Sequence, residues 1–146
     1  MGVGGTVSAG YSGTPLAKKL GLKEGHALLL VGAPAGWSVP DMPAGVRVAR
    51  GRPTSARVVE SDIIIAFFGR AARLRKDAAA IAERLPRGSS LWVAWPRRAG
   101  GHQSDITDNL LREVLLPVGV VDIKVAALDE DWSGVRFVWR KANRTG

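Results

Sequence analysis

The chain has no cysteine among its 146 residues. That excludes a disulfide framework, a thiolate nucleophile and a cysteine-based zinc site. Histidine is almost as scarce: His26 and His102 are the only two, and they are too far apart in sequence to suggest a local metal cluster. No window approaches the roughly 18 to 20 continuous apolar residues of a membrane span, and "MGVGGTVSAG" lacks the charged-then-apolar plan of a signal peptide. The expectation is a cytoplasmic protein with no membrane contact. A P-loop is absent, and "GYSGT" has the wrong spacing for a nucleophile elbow. No repeat or low-complexity linker divides the chain. This length fits one domain, able to bury about two-thirds of its unfolded surface without covalent staples.

Acidic residues are also in deficit. Thirteen carboxylates face 21 Lys and Arg, giving a net charge of +8 and a pI near 10.8, a balance that raises nucleic acid as a partner. The basic residues are nevertheless dispersed, with no dense run, and Arg outnumbers Lys more than two to one. A solvated basic surface is the simpler reading. Two short processing motifs match, "MGVGGT" for myristoylation and "NRT" at Asn143 for glycosylation, but each needs a eukaryotic host or secretion.

A glycine-rich arm (1–13) precedes the domain (14–141), and a short tail (142–146) follows it. "TPLAKKLGLKEG" reads as a short helix with Thr14 as N-cap, Pro15 at the first helical position and Gly21 as the stop. His26 to Val31 forms a first strand and Val46 to Arg50 a second. "SDIIIAFFG" and "SSLWVAWP" are apolar on both parities, as central strands of a sheet covered on both faces are. In the latter, Leu91, Val93 and Trp95 share one face and Trp92 and Ala94 the other. Between these strands, Leu74, Ala78, Ile81, Ala82 and Leu85 recur at helical spacing. Another helix begins near Asp105, which caps it, and buries Ile106, Leu110, Leu111 and Val114. Last, "VVDIKVAAL" and "VRFVWRK" flank "DEDWSG" as an antiparallel hairpin. That turn imitates the first half of a calcium loop, but Arg140 stands where a glutamate is required, so no metal is expected.

The segment "DIIIAFFGRAARLRKDAAAIAERLPRGSSLWVAWP" and the closing hairpin resemble the second half of a class I methyltransferase sheet. The resemblance implies a single-domain, Rossmann-like α/β fold: a mostly parallel sheet closed by an antiparallel hairpin, strand order 2-1-3-4-6-5, helices on both faces. It also places any ligand crevice beyond the carboxyl ends of the strands.

"VGAPAGW" after the first strand is where such a fold holds S-adenosylmethionine or a dinucleotide. That job requires small residues, a following helix, and an acidic residue after strand two for the ribose hydroxyls. Gly32 and Gly36 are present, but Pro34 removes an amide donor. "SVPDMPAG" is too short for a crossover helix, and Arg50 and Arg52 stand where a carboxylate is wanted. Three readings stay open: a rigid connector with Trp37 packed against the sheet edge, a remodelled anion pocket using Arg50 or Arg52, or methyl-donor binding.

A second constellation, "WPRRAGGHQSDITDN", follows a central strand. Trp95, Arg97, Arg98, His102 and Asp105 would rise over the same crevice, where a tryptophan beside two arginines suits a base and a phosphate. Solvated arginines and a capping Asp105 are the plainer account.

"YSGTPLAKKLGLKEGHALLLVGAP", "LWVAWPRR", "SDITDNLLRE" and "VDIKVAALDEDWSGVRFV" together resemble an uncharacterised, mainly actinobacterial domain-of-unknown-function family over about Tyr11 to Arg140. This implies a bacterial, cytoplasmic setting and carries over no activity, cofactor or catalytic residue. The leading functional expectation is a non-catalytic module binding a partner protein or an anionic small ligand at the carboxyl edge, through Gly32, Pro34, Gly36, Trp37, Arg50, Arg52, Trp95, Arg97, Arg98 and Asp105. A divergent nucleotide- or S-adenosylmethionine-binding enzyme comes second and a nucleic-acid-binding protein third. A homodimer is left open; an exposed apolar patch on the hairpin, near Phe137 or Trp139, would favour dimer or partner contact.

Overall fold

A computed structural model describes residues 14–143. The glycine-rich arm (1–13), including the myristoylation motif, and the last two residues of "NRT" lie outside the described residues. Six strands form one sheet: β1 (Ala27–Val31), β2 (Arg47–Gly51), β3 (Ile63–Phe67), β4 (Ser90–Pro96), β5 (Val120–Ala127) and β6 (Trp132–Trp139). Their spatial order is β2-β1-β3-β4-β6-β5. The first four are parallel, while β6 pairs antiparallel with both β4 and β5. This is the α/β, Rossmann-like architecture that the resemblance to a methyltransferase sheet implies. Among the described residues no helix is long and apolar enough to cross a membrane.

The two-sided burial of β3 and β4 follows from their position, because every residue of β3 is buried. Alternate side chains feed two separate cores. On the helical face, Ile64, Ala66, Leu91, Val93 and Phe137 meet α2 (Ala71–Glu83) and α3 (Asp108–Leu115) through Leu74, Ile81, Leu111 and Leu115. The ion pair of Arg112 with Asp122, 2.9 Å, ties α3 to β5. On the other face, Ile63, Ile65, Phe67 and Trp92 meet Leu20 of the five-residue α1 (Leu16–Leu20), together with Trp37, Val39 and Leu128. Helices therefore lie on both faces, but on this second one a loop does most of the covering.

Two local expectations change. Pro15 is the N-cap residue of α1, its carbonyl accepting from the Lys18 and Lys19 amides, and Thr14 makes no capping bond. Gly21 does end the helix, in the left-handed region that disfavours a side chain (φ 82°). Helix α3 starts later than Asp105, because Thr107 accepts from the Leu110 amide and so fixes the first turn. At the carboxyl end, the Asn143 side-chain amide donates to the Gly119 carbonyl at 3.3 Å.

Candidate functional site

The β1 loop is bound to its own protein. Gly32 (φ 69°) and Gly36 (φ 78°) adopt left-handed backbone, and a Cβ on Gly32 would lie 3.0 Å from the Phe67 carbonyl oxygen. Trp37 packs over the sheet face, correcting the expectation that it sits at an edge. Its ring meets Phe67 edge-on at 4.9 Å, and Phe67 meets Trp132 in the same way at 5.0 Å. The Trp37 indole N–H donates to the Asp129 carboxylate at 2.9 Å. Arg50, at the end of β2, donates to the carbonyls of Trp37 and Pro34 at 2.5 and 3.5 Å. A guanidinium in that geometry closes the loop and turns away from the crevice. Arg52 is exposed, with no partner among the described residues.

The second constellation is dispersed. Trp95 is half-buried against the helical-face core, on the opposite side of the sheet from Trp37. Arg97 donates to the carbonyls of Asp129 and Glu130 at 3.1 and 3.4 Å and so pins the β5–β6 turn. His102 meets Asp131 at 2.9 Å and adds a second tie between the same two loops. Arg98 is exposed in the turn 98–100. Trp37 and Arg97 thus both meet Asp129, through its carboxylate and its carbonyl, while Trp95 lies on the other face of the sheet and Arg50 folds back on the β1 loop, so Trp95 does not join them over one crevice. Nor is Asp105 the cap of its own helix. Its carboxylate accepts the Ala71 amide at 2.8 Å, capping α2 from across the crevice. Phe137 and Trp139 are themselves buried, while Ile123 and Val125 on the neighbouring strand β5 of the same hairpin are exposed.

A concavity does exist at the carboxyl edge, between the β3–α2 junction and the segment leading into α3. It has a volume of about 470 Å³ and is lined by Gly69, Arg70, Gln103, Ser104 and Asp105. Gly69 leaves it open, since a Cβ there would meet nothing within 4 Å. Arg70 is exposed; its carbonyl accepts the Leu74 amide, and its guanidinium has no hydrogen-bond or ion-pair partner among the described residues. The first-turn amides of α2 beyond Ala71, which have no intrahelical acceptor, belong to the same end of the helix. Of this lining only Asp105 stands out in the sequence reading. Arg70 carried a usable signal, being the cation directly after a central strand and its glycine, at a carboxyl end. Asp129 had none, because its pairing with Trp37 spans 92 residues. Among the described residues no group of three or more His, Asp or Glu is placed to hold a metal ion.

With this geometry in place, solved structures give a consistent comparison. A SAM-dependent methyltransferase from Aquifex aeolicus aligns with a TM-score of 0.54 at 16% identity, over 82% of this chain and 85% of its own. The fold is methyltransferase-like. A TehB-like SAM-dependent methyltransferase from Corynebacterium glutamicum aligns over 93% of both chains, with a TM-score of 0.51 at 13% identity. The Methanococcus jannaschii fibrillarin pre-rRNA processing protein aligns over 85% of this chain and 73% of its own, with a TM-score of 0.52 at 16% identity. No protein-family model matches the sequence, and neither does any curated protein. The methyltransferase-like scaffold thus has support, and the resemblance to the actinobacterial family gains none from this quarter.

Proposed function

We propose that this chain binds an anionic small molecule of the nucleotide class in the crevice beyond β3 and β4, and not through the β1 loop. The observation that carries this reading is the open polar concavity of about 470 Å³ with exposed Arg70 at its rim. Its volume lies within the range of roughly 300 to 1,000 Å³ typical of small-ligand sites. Arginine and helix amides are suited to phosphate or carboxylate oxygens. The structural neighbours favour a nucleotide- or methyl-donor-type ligand over a module that binds only proteins.

The residues of the β1 loop do not fit S-adenosylmethionine in the way its position would suggest. Pro34 has no amide to donate, and Arg50 stands where ribose hydroxyls require an acceptor. Trp37 and its loop cover the face on which a crossover helix would aim its amino end. No catalytic step is therefore assigned to that group here.

A thermal-shift panel of S-adenosylmethionine, its demethylated product, mononucleotides, dinucleotides and phosphate tests the proposal. At 100 times its dissociation constant a ligand adds about 2.7 kcal/mol, several degrees for a domain of this size. The expected result is a shift with a nucleotide-class ligand that Arg70→Ala abolishes. A shift with S-adenosylmethionine that survives Arg70→Ala would place the ligand in the β1 loop and overturn the assignment. No shift across the panel would favour a partner-binding module instead.

A further inference from the structure

The edge of the sheet formed by β2 carries a different kind of site. The Arg47 amide donates to the His26 carbonyl at 2.9 Å. In a parallel ladder the residues of one strand that bond to a given neighbour alternate. Arg47, Ala49 and Gly51 therefore face β1, while Val48 and Arg50 turn their N–H and C=O groups outward. Among the described residues nothing pairs with this outer side, because β2 is the last strand in the order.

The side chains along this edge are strongly basic. Arg47, Arg50, Arg52 and Arg57 are all exposed, and no acidic residue lies between Asp41 and Glu60. Ala49 packs toward the helical-face core, so Arg47 shares that side, and Arg57 and Glu60 of the following turn border the same shallow groove of about 130 Å³. Val48, 45% exposed, lies on the loop-face side with Arg50. An open edge bearing cations on one side and an uncovered valine on the other is a template for strand addition.

We infer that β2 is a docking edge for an extended acidic peptide, which adds as a seventh strand with carboxylates toward Arg47 and Arg57 and an apolar side chain over Val48. A second copy of this chain fits poorly, because edge-to-edge pairing would set arginines opposite arginines, and like charges directly opposed are destabilising. A nucleic-acid backbone would meet the arginines, but its phosphates only accept hydrogen bonds and leave the outward carbonyls of Val48 and Arg50 unanswered. A peptide supplies donors and acceptors alternately, which is what this edge presents. The inference concerns a surface separate from the crevice and does not depend on it.

The test uses the full chain and a fluorescein-labelled octapeptide of alternating glutamate and valine. Binding is followed by anisotropy, and exchange of the Val48 and Arg50 amides by NMR. The expected result is saturable binding that slows exchange at those two amides. Arg57→Ala and Arg47→Ala should each weaken it about two- to fivefold, as exposed charge pairs do. Val48→Pro removes one outward donor and no ladder bond, a change tolerated at an edge, and should weaken binding about tenfold. If that variant fails to fold, the same peptide with alternate backbone nitrogens methylated takes its place and should not bind. Equal affinity for the methylated peptide, or unchanged exchange at Val48 and Arg50 under saturation, would overturn the inference. Salt-sensitive binding of a single-stranded oligonucleotide at these arginines, with no peptide binding, would overturn it in favour of nucleic acid.

Discussion

The two faces of the sheet are covered by different means. On the helical face α2 and α3 lay regular apolar stripes over β3 and β4, and among the described residues no charged side chain is buried there. On the loop face the five-residue α1 covers one end, and the rest depends on Trp37, Val39 and Leu128. That side also holds Lys19, a charged residue only 6% exposed. A face covered by periodic helices can lose a contact locally, whereas a face covered by one aromatic plug concentrates its packing in a few side chains. Trp37 shows the second case: its ring meets Phe67, its N–H meets Asp129, and its carbonyl holds Arg50.

The sharpest way to break this contrast is to remove the plug. Trp37→Ala should cost about 3 to 5 kcal/mol, the range for large aromatic truncations in cores, and leave the Asp129 carboxylate without its indole donor. Leu111→Ala, at a fully buried position of the helical face, should cost about 2 to 5 kcal/mol. Chemical denaturation of both variants checks the pair. A loss below 1 kcal/mol for Trp37→Ala would mean the loop only drapes over the sheet, and the two faces would not be equivalent layers of core.

Next in size come the glycines that let the loop turn. Gly32→Ala combines left-handed backbone with a Cβ 3.0 Å from the Phe67 carbonyl oxygen, and should cost about 1 to 3 kcal/mol. Gly36→Ala has the same backbone sign but open space, so about 1 kcal/mol is expected. Equal costs in a thermal melt would show that backbone sign alone governs the loop. Arg50→Met should lose about 1 to 2 kcal/mol through its two carbonyl bonds, while Arg52→Ala should stay within about 0.5 kcal/mol.

The same contrast explains what the sequence could reveal. Helical-face positions such as Leu74, Ala78 and Ile81 were legible because burial there repeats with the helix period. The central place of β3 and β4 was legible because both are apolar on both parities, while the strand order came only through the resemblance of this segment and the closing hairpin to a methyltransferase-like sheet. The loop face lacks any period. Nothing local to "VGAPAGWSVPDMPAG" indicates that Trp37 reaches Asp129 or that Arg50 folds back on the loop, since both depend on contacts made after the sheet assembles. The candidate crevice suffers likewise: Asp105 looked like the cap of the helix beside it, yet it serves a helix 34 residues earlier. Capping chemistry identifies a residue that satisfies amides, and only tertiary structure decides whose amides they are.

The smallest expected effect concerns the charge held beneath the loop face. Burial, then the nearby positive charges of Lys124 and Arg97, lower the pKa of Lys19 below the usual lysine value. A lysine with a depressed folded-state pKa releases its proton earlier in the folded protein than in the unfolded chain. Between the two pKa values the unfolded state binds more protons, so this residue's contribution to stability rises with pH through that alkaline window. Below the folded-state value its unfavourable contribution is present in full and flat with pH. Lys19→Met keeps the apolar stem and removes the titration, so the variant's stability should show less of that alkaline rise when urea midpoints are compared from neutral pH upward. Identical pH curves for wild type and Lys19→Met would mean that the loop face lets water reach this ammonium group, and the contrast between a sealed helical face and a sealed loop face would fail at α1.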